Sequence, residues 1–405
     1  MTGENVPRGL RRFRAVFADR RLRWAAAGAV IGRLAQTIMP LAMLLAGQKR
    51  LHDFTAAGAV VATYALAGAA GAPVVGRLAD RRGVRALVAF AAISAAATVG
   101  LATSRTAPGM IGFAAVAGVS TPPLGAALRA VVVRVLSQRM QAAALSLDSI
   151  ATEVLFIVGP TVAGVAAAIA APSVALLGCA ALMLLGAVVF LPSAAGGSPH
   201  PAQAGRRRLP SVTVLAGLLP VLVMTATLTF TIGVVEVSVT ARAAEWQSIE
   251  SAGALLGSWA LGSMAGGLIY GSRDWRGSPR RHALLLLPIV GLGFAALVLA
   301  GNVAAMYPLM VLAGIGVAPA LTNLAHLVAT LAPEGSDTEA FAWLGASTAL
   351  GGAAGVAVAG AIVDRWSAGT GLLSAATLTL AATVLVPVLR GKSVPGGTPK
   401  VTAPR

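Results

Sequence analysis

The chain is short of charge. Only 11% of its 405 residues are Asp, Glu, Lys or Arg, against about 25% in a soluble globular protein. Acids are the scarcer sign, with 14 Asp and Glu against 31 Lys and Arg. A net charge of +17 in a soluble protein would point to nucleic acid, but 57% of the residues here are hydrophobic, which excludes that class. Cysteine is almost missing: Cys179 stands alone, so no intramolecular disulfide framework exists. With only four histidines beside it, no metal-ligand cluster is expected. Nothing matches G-x-x-x-x-G-K-S/T, so ATP-driven pumping lacks its phosphate loop. No nucleophile–base set is visible, and neither enzymatic activity nor a cofactor is expected. No cleavable signal pattern appears, because the basic start leads straight into a full-length apolar run.

What the chain has instead is long apolar runs. Twelve are long enough to cross a hydrocarbon core of about 30 Å as helices. The expected spans are 23–46, 55–75, 86–103, 108–135, 143–170, 172–191, 211–236, 249–271, 283–301, 304–331, 340–363 and 369–389. The organisation follows: a basic segment at 1–22, a six-helix bundle at 23–191, a linker at 192–210, a second bundle at 211–389 and a Pro/Gly-rich tail at 390–405. The fold class is all-α membrane protein, twelve transmembrane helices in two six-helix repeats.

Everything is organised around Gly76-Arg77-Leu78-Ala79-Asp80-Arg81-Arg82-Gly83-Val84-Arg85, a basic turn between the second and third spans. Gly76-x-Leu78-x-Asp80-Arg81-x-Gly83-x-Arg85 resembles the signature loop between helices 2 and 3 of the major facilitator superfamily of secondary transporters. Val84 departs from the basic residue usual there. The resemblance implies a solute site between the two halves near mid-membrane. It also implies a latch on the cytoplasmic side, with Asp80 near the N-terminus of the third helix and Arg81 and Arg85 reaching helix ends of the other half.

Charge distribution gives an orientation. By this topology 24 Lys and Arg lie on one side, five on the other (Lys49, Arg50, Arg105, Arg242, Arg365), and Arg33 and Arg129 lie within spans. The positive-inside rule then places both termini in the cytoplasm. Arg outnumbers Lys 28 to 3 amid abundant Ala and Gly, which points to a GC-rich bacterial genome and a multi-pass protein of the bacterial cytoplasmic membrane. Leu10, Phe13 and Phe17, at helical spacing among arginines, suit an amphipathic helix on the anionic inner leaflet; a disordered basic tail suits the same residues.

The halves echo one another. Gly267-x-Ile269-x-Gly271 repeats Gly76-x-Leu78-x-Asp80 at an offset of 191, with the acid replaced by glycine. Ala117-Gly118 with Pro123 recurs as Ala313-Gly314 with Pro319, and Gly164 aligns with Gly355.

Charges deep in a bilayer are costly and mark pairs or functional groups. Glu153 and Arg33 sit at similar depth in the fifth and first spans and are expected to face each other. Burial raises a carboxyl pKa and a nearby cation lowers it, so Glu153 is read as the proton carrier and Arg33 as its tuner. A permanent ion pair, or Arg33 holding an anionic solute, are the alternatives. Arg129 and Asp148 are expected near the basic ends of their spans in a structural role. Gly159-Pro160-x-x-Ala163-Gly164 resembles the helix-5 Gly-Pro motif of drug:proton antiporters, although Leu155 replaces its leading glycine and Ala114 stands where those antiporters carry an arginine.

The cavity candidates are mild: Gln36, Thr37, Trp259, Asn323, His326, Trp343, Ser347 and Thr348. They suit a lipophilic or amphipathic solute. The expected function is proton-coupled efflux by alternating access, as a monomer, with the solute, protons and the bilayer as partners. An importer or uniporter of a small nutrient, or a transporter-like sensor, are the rivals.

Overall fold

A computed structural model of the chain describes residues 11–51, 54–169, 171–194, 211–248, 251–273, 275, 277–333 and 335–388. The elements are α1 (Arg11–Val16), α2 (Arg20–Leu51), α3 (Phe54–Arg82), α4 (Arg85–Thr103), α5 (Ala107–Val119), α6 (Leu124–Val135), α7 (Gln138–Ile169) and α8 (Pro172–Phe190). The second half holds α9 (Ser211–Glu245), α10 (Ala252–Ser272), α11 (Pro279–Ala296), α12 (Val303–Gly314), α13 (Val317–Leu331), α14 (Asp337–Arg365) and α15 (Ala368–Ala382). Among the described residues, twelve helical segments are long and apolar enough to cross a membrane. The fourth pairs α5 with α6, and the tenth α12 with α13. The tail and most of the linker lie outside the described residues.

Several helices outrun the expected spans. The second was expected to stop at Val75 but continues to Arg82, and the seventh runs to Glu245 rather than 236. Hydropathy registers only the apolar core of a span, whereas the helix itself extends into the wet interface, where polar residues cost little. The ten-residue basic turn is thus two turns of helix followed by a sharp stop. Gly83 makes the stop: its φ is +79° and its N–H donates to the Ala79 carbonyl at 2.8 Å, a left-handed helix terminus. Gly83→Val should cost about 1–2 kcal/mol through its backbone strain alone, read as a lower melting temperature; an unchanged melting curve would show that the turn tolerates another conformation.

The repeat is visible in packing. Gly118 of α5 lies against the Tyr64 carbonyl and Gly68 of α3, while Gly314 of α12 lies against the Trp259 carbonyl and Ser263 of α10. Both helices break just beyond these glycines, at residues 120–123 and 315–316. Gly159 packs on Thr37 of α2, and Gly355 packs on Phe230 of α9. Gly164, aligned with Gly355 by offset, has nothing within 4 Å of a would-be Cβ, so that pair does not share a packing role. Small residues carry these approaches because lipid offers no hydrophobic drive between helices, leaving close van der Waals contact as the main attraction. Gly28 and Gly186 show it best: a methyl on Gly28 would stand 2.6 Å from the Gly186 carbonyl oxygen.

The two halves meet through α3 with α14, α6 with α14, and α7 with α10 and α13. Among the described residues, α1, the end of α3, the end of α6, the end of α10, the start of α11 and the start of α14 lie at one end of the bundle, hereafter the basic face. The N-terminal segment differs from its expectation. Phe13 and Val16 of α1 are 9% and 3% exposed, packed against α7 and α10 rather than turned outward. Phe17 is 42% exposed, and Leu10 lies outside the described residues.

Candidate functional site: the seams between the halves

Helix α7 carries two polar faces. At about 100° per residue, positions 146, 149, 150 and 153 share one side, and 148 and 152 share the other. The second side faces its own half. Asp148, 5% exposed, accepts from Arg33 Nη1 at 2.5 Å and from Arg129 Nε at 2.6 Å. Arg33 Nη2 also donates to Thr152 Oγ1. One carboxylate therefore holds two guanidiniums and ties α7 to α2 and α6.

The first side of α7 faces the other half. Ser146 donates to the Gly267 carbonyl of α10, Ser149 and Thr322 of α13 share a hydrogen bond at 3.2 Å, and a methyl on Gly267 would meet Ile150. Glu153, about four turns along the helix, accepts from Ser263 of α10 through Oε1. Its Oε2 is buried and has no hydrogen-bond partner. Glu153 and Arg33 therefore do not face each other as expected. They match in depth but not in azimuth, and the acid that meets Arg33 lies five residues earlier, on the opposite side of the helix. Ser263, the partner that sequence reasoning missed, had no signal beyond being a small hydroxyl in an apolar span.

At the basic face a second seam joins α3 to α14. Asp80 is at the end of α3, not at the start of the third span as expected, because α3 runs through the motif. Its side chain is 3% exposed. It accepts the backbone N–H of Thr338 at 3.2 Å and of Glu339 at 2.9 Å. These are the second and third residues of α14, whose own cap residue Ser336 makes no side-chain cap. Asp80 thus serves as an N-cap supplied by the opposite half, where the helix dipole favours an anion. Arg134 of α6 bridges Asp80 at 2.8 Å and Asp337 at 2.9 Å. Arg77 approaches Glu339 at 3.9 Å. Gly76 allows the contact, since a methyl there would stand 2.9 Å from the Thr338 carbonyl oxygen. Arg81 and Arg85, expected to reach across, are exposed instead. The acidic run Asp337-Thr338-Glu339 at a helix start was the sequence signal for this seam.

Four of the eight cavity candidates are committed to packing. Gln36 donates to the Pro122 carbonyl at 3.1 Å, at the break between α5 and α6. Thr37 lies against Gly159 and donates to Leu34. Trp259 is 8% exposed, edge-on to Phe294 with centroids 6.3 Å apart. Asn323 donates to the Pro279 carbonyl at 3.0 Å and accepts from Tyr270. His326 Nε2 and Trp343 Nε1 are buried without a partner, Ser347 is half-buried, and Thr348 is exposed. The backbone of α7 is helical through residue 160, while the Pro160 side chain lies outside the described residues. Among the described residues no group of His, Cys, Asp and Glu is arranged to hold a metal ion.

Comparison with known structures places this bundle. The human organic anion transporter MFSD10 superposes with a TM-score of 0.72 at 19% identity, covering 91% of this chain and 99% of that one. The E. coli fucose:proton symporter FucP gives 0.66 at 12% identity, over 91% and 98%. A bacterial homologue of the iron transporter ferroportin, in an outward-facing state, gives 0.69 at 12%, over 92% and 98%. At these identities the likeness concerns the fold. No curated protein matches by sequence. The sequence profile of the Major Facilitator Superfamily, however, matches residues 25–243, more than half of the chain. With twelve candidate spans among the described residues, two packed repeats and the Gly76–Asp80 stretch packed on α14 of the other half, the chain belongs to the Major Facilitator Superfamily.

Proposed function

We propose that the protein is a secondary active transporter that expels a small lipophilic or amphipathic solute in exchange for protons, with Glu153 as the proton carrier. The supporting observation is the contrast between two intramembrane carboxyls. Asp148 is neutralised by two arginines. Glu153 holds only a serine hydroxyl from the opposite half and leaves one buried oxygen without a partner. An unpaired ionised carboxylate is costly away from water. Closing the seam strips water from Glu153 and opening it restores water, so its proton occupancy follows the conformation. Arg33 has a different role from the one its depth alone implies: it anchors α7 within the first half.

Alternating access in this reading is rocking of the halves about the two seams, which part when the basic face opens. That face is cytoplasmic by the positive-inside rule, in a bacterial cytoplasmic membrane with an anionic inner leaflet. Gly76, Asp80 and Gly83 form the latch, with Arg77 and Arg134 taking the part first given to Arg81 and Arg85. The solute contacts are proposed at Trp343 and Ser347, one turn apart on α14, with His326 on α13. The transporter works as a monomer.

The test is solute-triggered proton movement in vesicles of purified protein, with a panel of lipophilic cations and neutral antibiotics. A transported compound is expected to dissipate an imposed pH gradient in wild type and not in Glu153→Gln. Equal dissipation in both would remove Glu153 from the coupling step, and a panel without any proton movement would remove efflux by exchange.

A further inference from the structure

The two seams are related by the repeat, yet they are closed by different chemistry. In the first, Asp80 of α3 caps α14 across the interface. In the second, the residue at the corresponding place in α10 is Gly271, 191 positions later, which has no side chain to offer. The gap is not left open. Phe13 of α1 fills it: a methyl on Gly271 would stand 3.0 Å from Phe13 Cε1 and 2.8 Å from Ser146 Cβ. Ser146 is the residue whose hydroxyl crosses this same seam to the Gly267 carbonyl. Helix α1 touches α7 of the first half and α10 of the second, with Val16 buried behind Phe13. The chain then turns at residues 17–19, where Asp19 accepts the Arg21 N–H at 2.7 Å and starts α2.

We propose that the N-terminal segment is a second latch, in which Phe13 takes the place of the acid that Gly271 lacks and holds α7 to α10 while the basic face is closed. The proposal rests on the alternating-access reading. When the halves rock apart, α1 can follow α7, to which it is linked through α2, but its contact with α10 is lost. Phe13 therefore favours the closed state by whatever its contact with α10 contributes.

The test uses the full chain, purified with Cys179→Ala, and spin labels on cysteines replacing the exposed Arg82 of α3 and Arg281 of α11. Their distance reports separation of the halves at the basic face. The background is Asp80→Asn, in which the first latch is weakened so that both populations are measurable. Phe13→Ala is expected to raise the open-to-closed ratio about tenfold, the shift expected when part of a buried aromatic contact exists in one state only. Phe13→Leu, which keeps apolar bulk, should shift it less, and Arg14→Gln not at all. A ratio in Phe13→Ala equal to that of its parent overturns the proposal. The Asp80→Asn parent compared with wild type tests the first latch independently, so the two readings fail separately.

Discussion

Asp148→Asn should be the most damaging single substitution in the protein. The carboxylate is almost sealed and satisfies two guanidiniums, one from α2 and one from α6. Removing its charge leaves two cations in the membrane interior with a neutral amide between them. Breaking a buried pair from one side costs about 3–5 kcal/mol, and here two partners are stranded at once. The expected result is loss of monodisperse protein in mild detergent, or a large fall in melting temperature. Arg129→Gln should be milder, because Arg33 still meets Asp148. Glu153→Gln should be close to neutral for stability, because an amide oxygen can still accept from Ser263. Melting of Asp148→Asn at the wild-type temperature would mean that the triad does not hold α2, α6 and α7 together.

Asp80→Asn should have the largest effect on conformation with little effect on folding. The amide keeps an acceptor for one α14 N–H but loses its charge toward Arg134 and the helix dipole. A charge-assisted contact plus a dipole interaction is worth about 1–3 kcal/mol, which moves a two-state balance about five- to 150-fold. The readout is thiol labelling, from the basic side, of a cysteine replacing Ser146, which is 0% exposed in the closed seam. The rate should rise by that factor. An unchanged rate would mean that Asp80 orders α14 without holding the halves shut.

The spans and the duplication could be read from the sequence because both are one-dimensional signals: apolar length, and glycines recurring at offsets within five residues of one another. The contact between α3 and α14 was half legible. Gly76, Asp80 and Gly83 are where the motif puts them, but Asp80 ends α3 because the helix outruns its apolar stretch, and the arginines that cross are 77 and 134. Arg33 was the wrong partner for Glu153: it meets Asp148, and Glu153 meets Ser263. Depth follows from counting residues. Azimuth does not, since a shift of five residues turns a side chain by more than a quarter of the circle, and which face meets which neighbour is settled by packing across the whole bundle. Ser263 and Phe13 were invisible as interface residues for the same reason.

The unlike chemistry of the two seams has a consequence for solution conditions. Dissolved ions screen an exposed charge contact over about 8 Å at physiological ionic strength, and Arg134, at 49% exposure, sits within their reach. The wedge at Gly271 is apolar and gains from salts that strengthen burial. Raising ionic strength should therefore loosen one edge of the interface while tightening the other. The halves would then part asymmetrically, from the α3–α14 edge first, so that the angle of opening, and not only its frequency, depends on the ions present at the basic face.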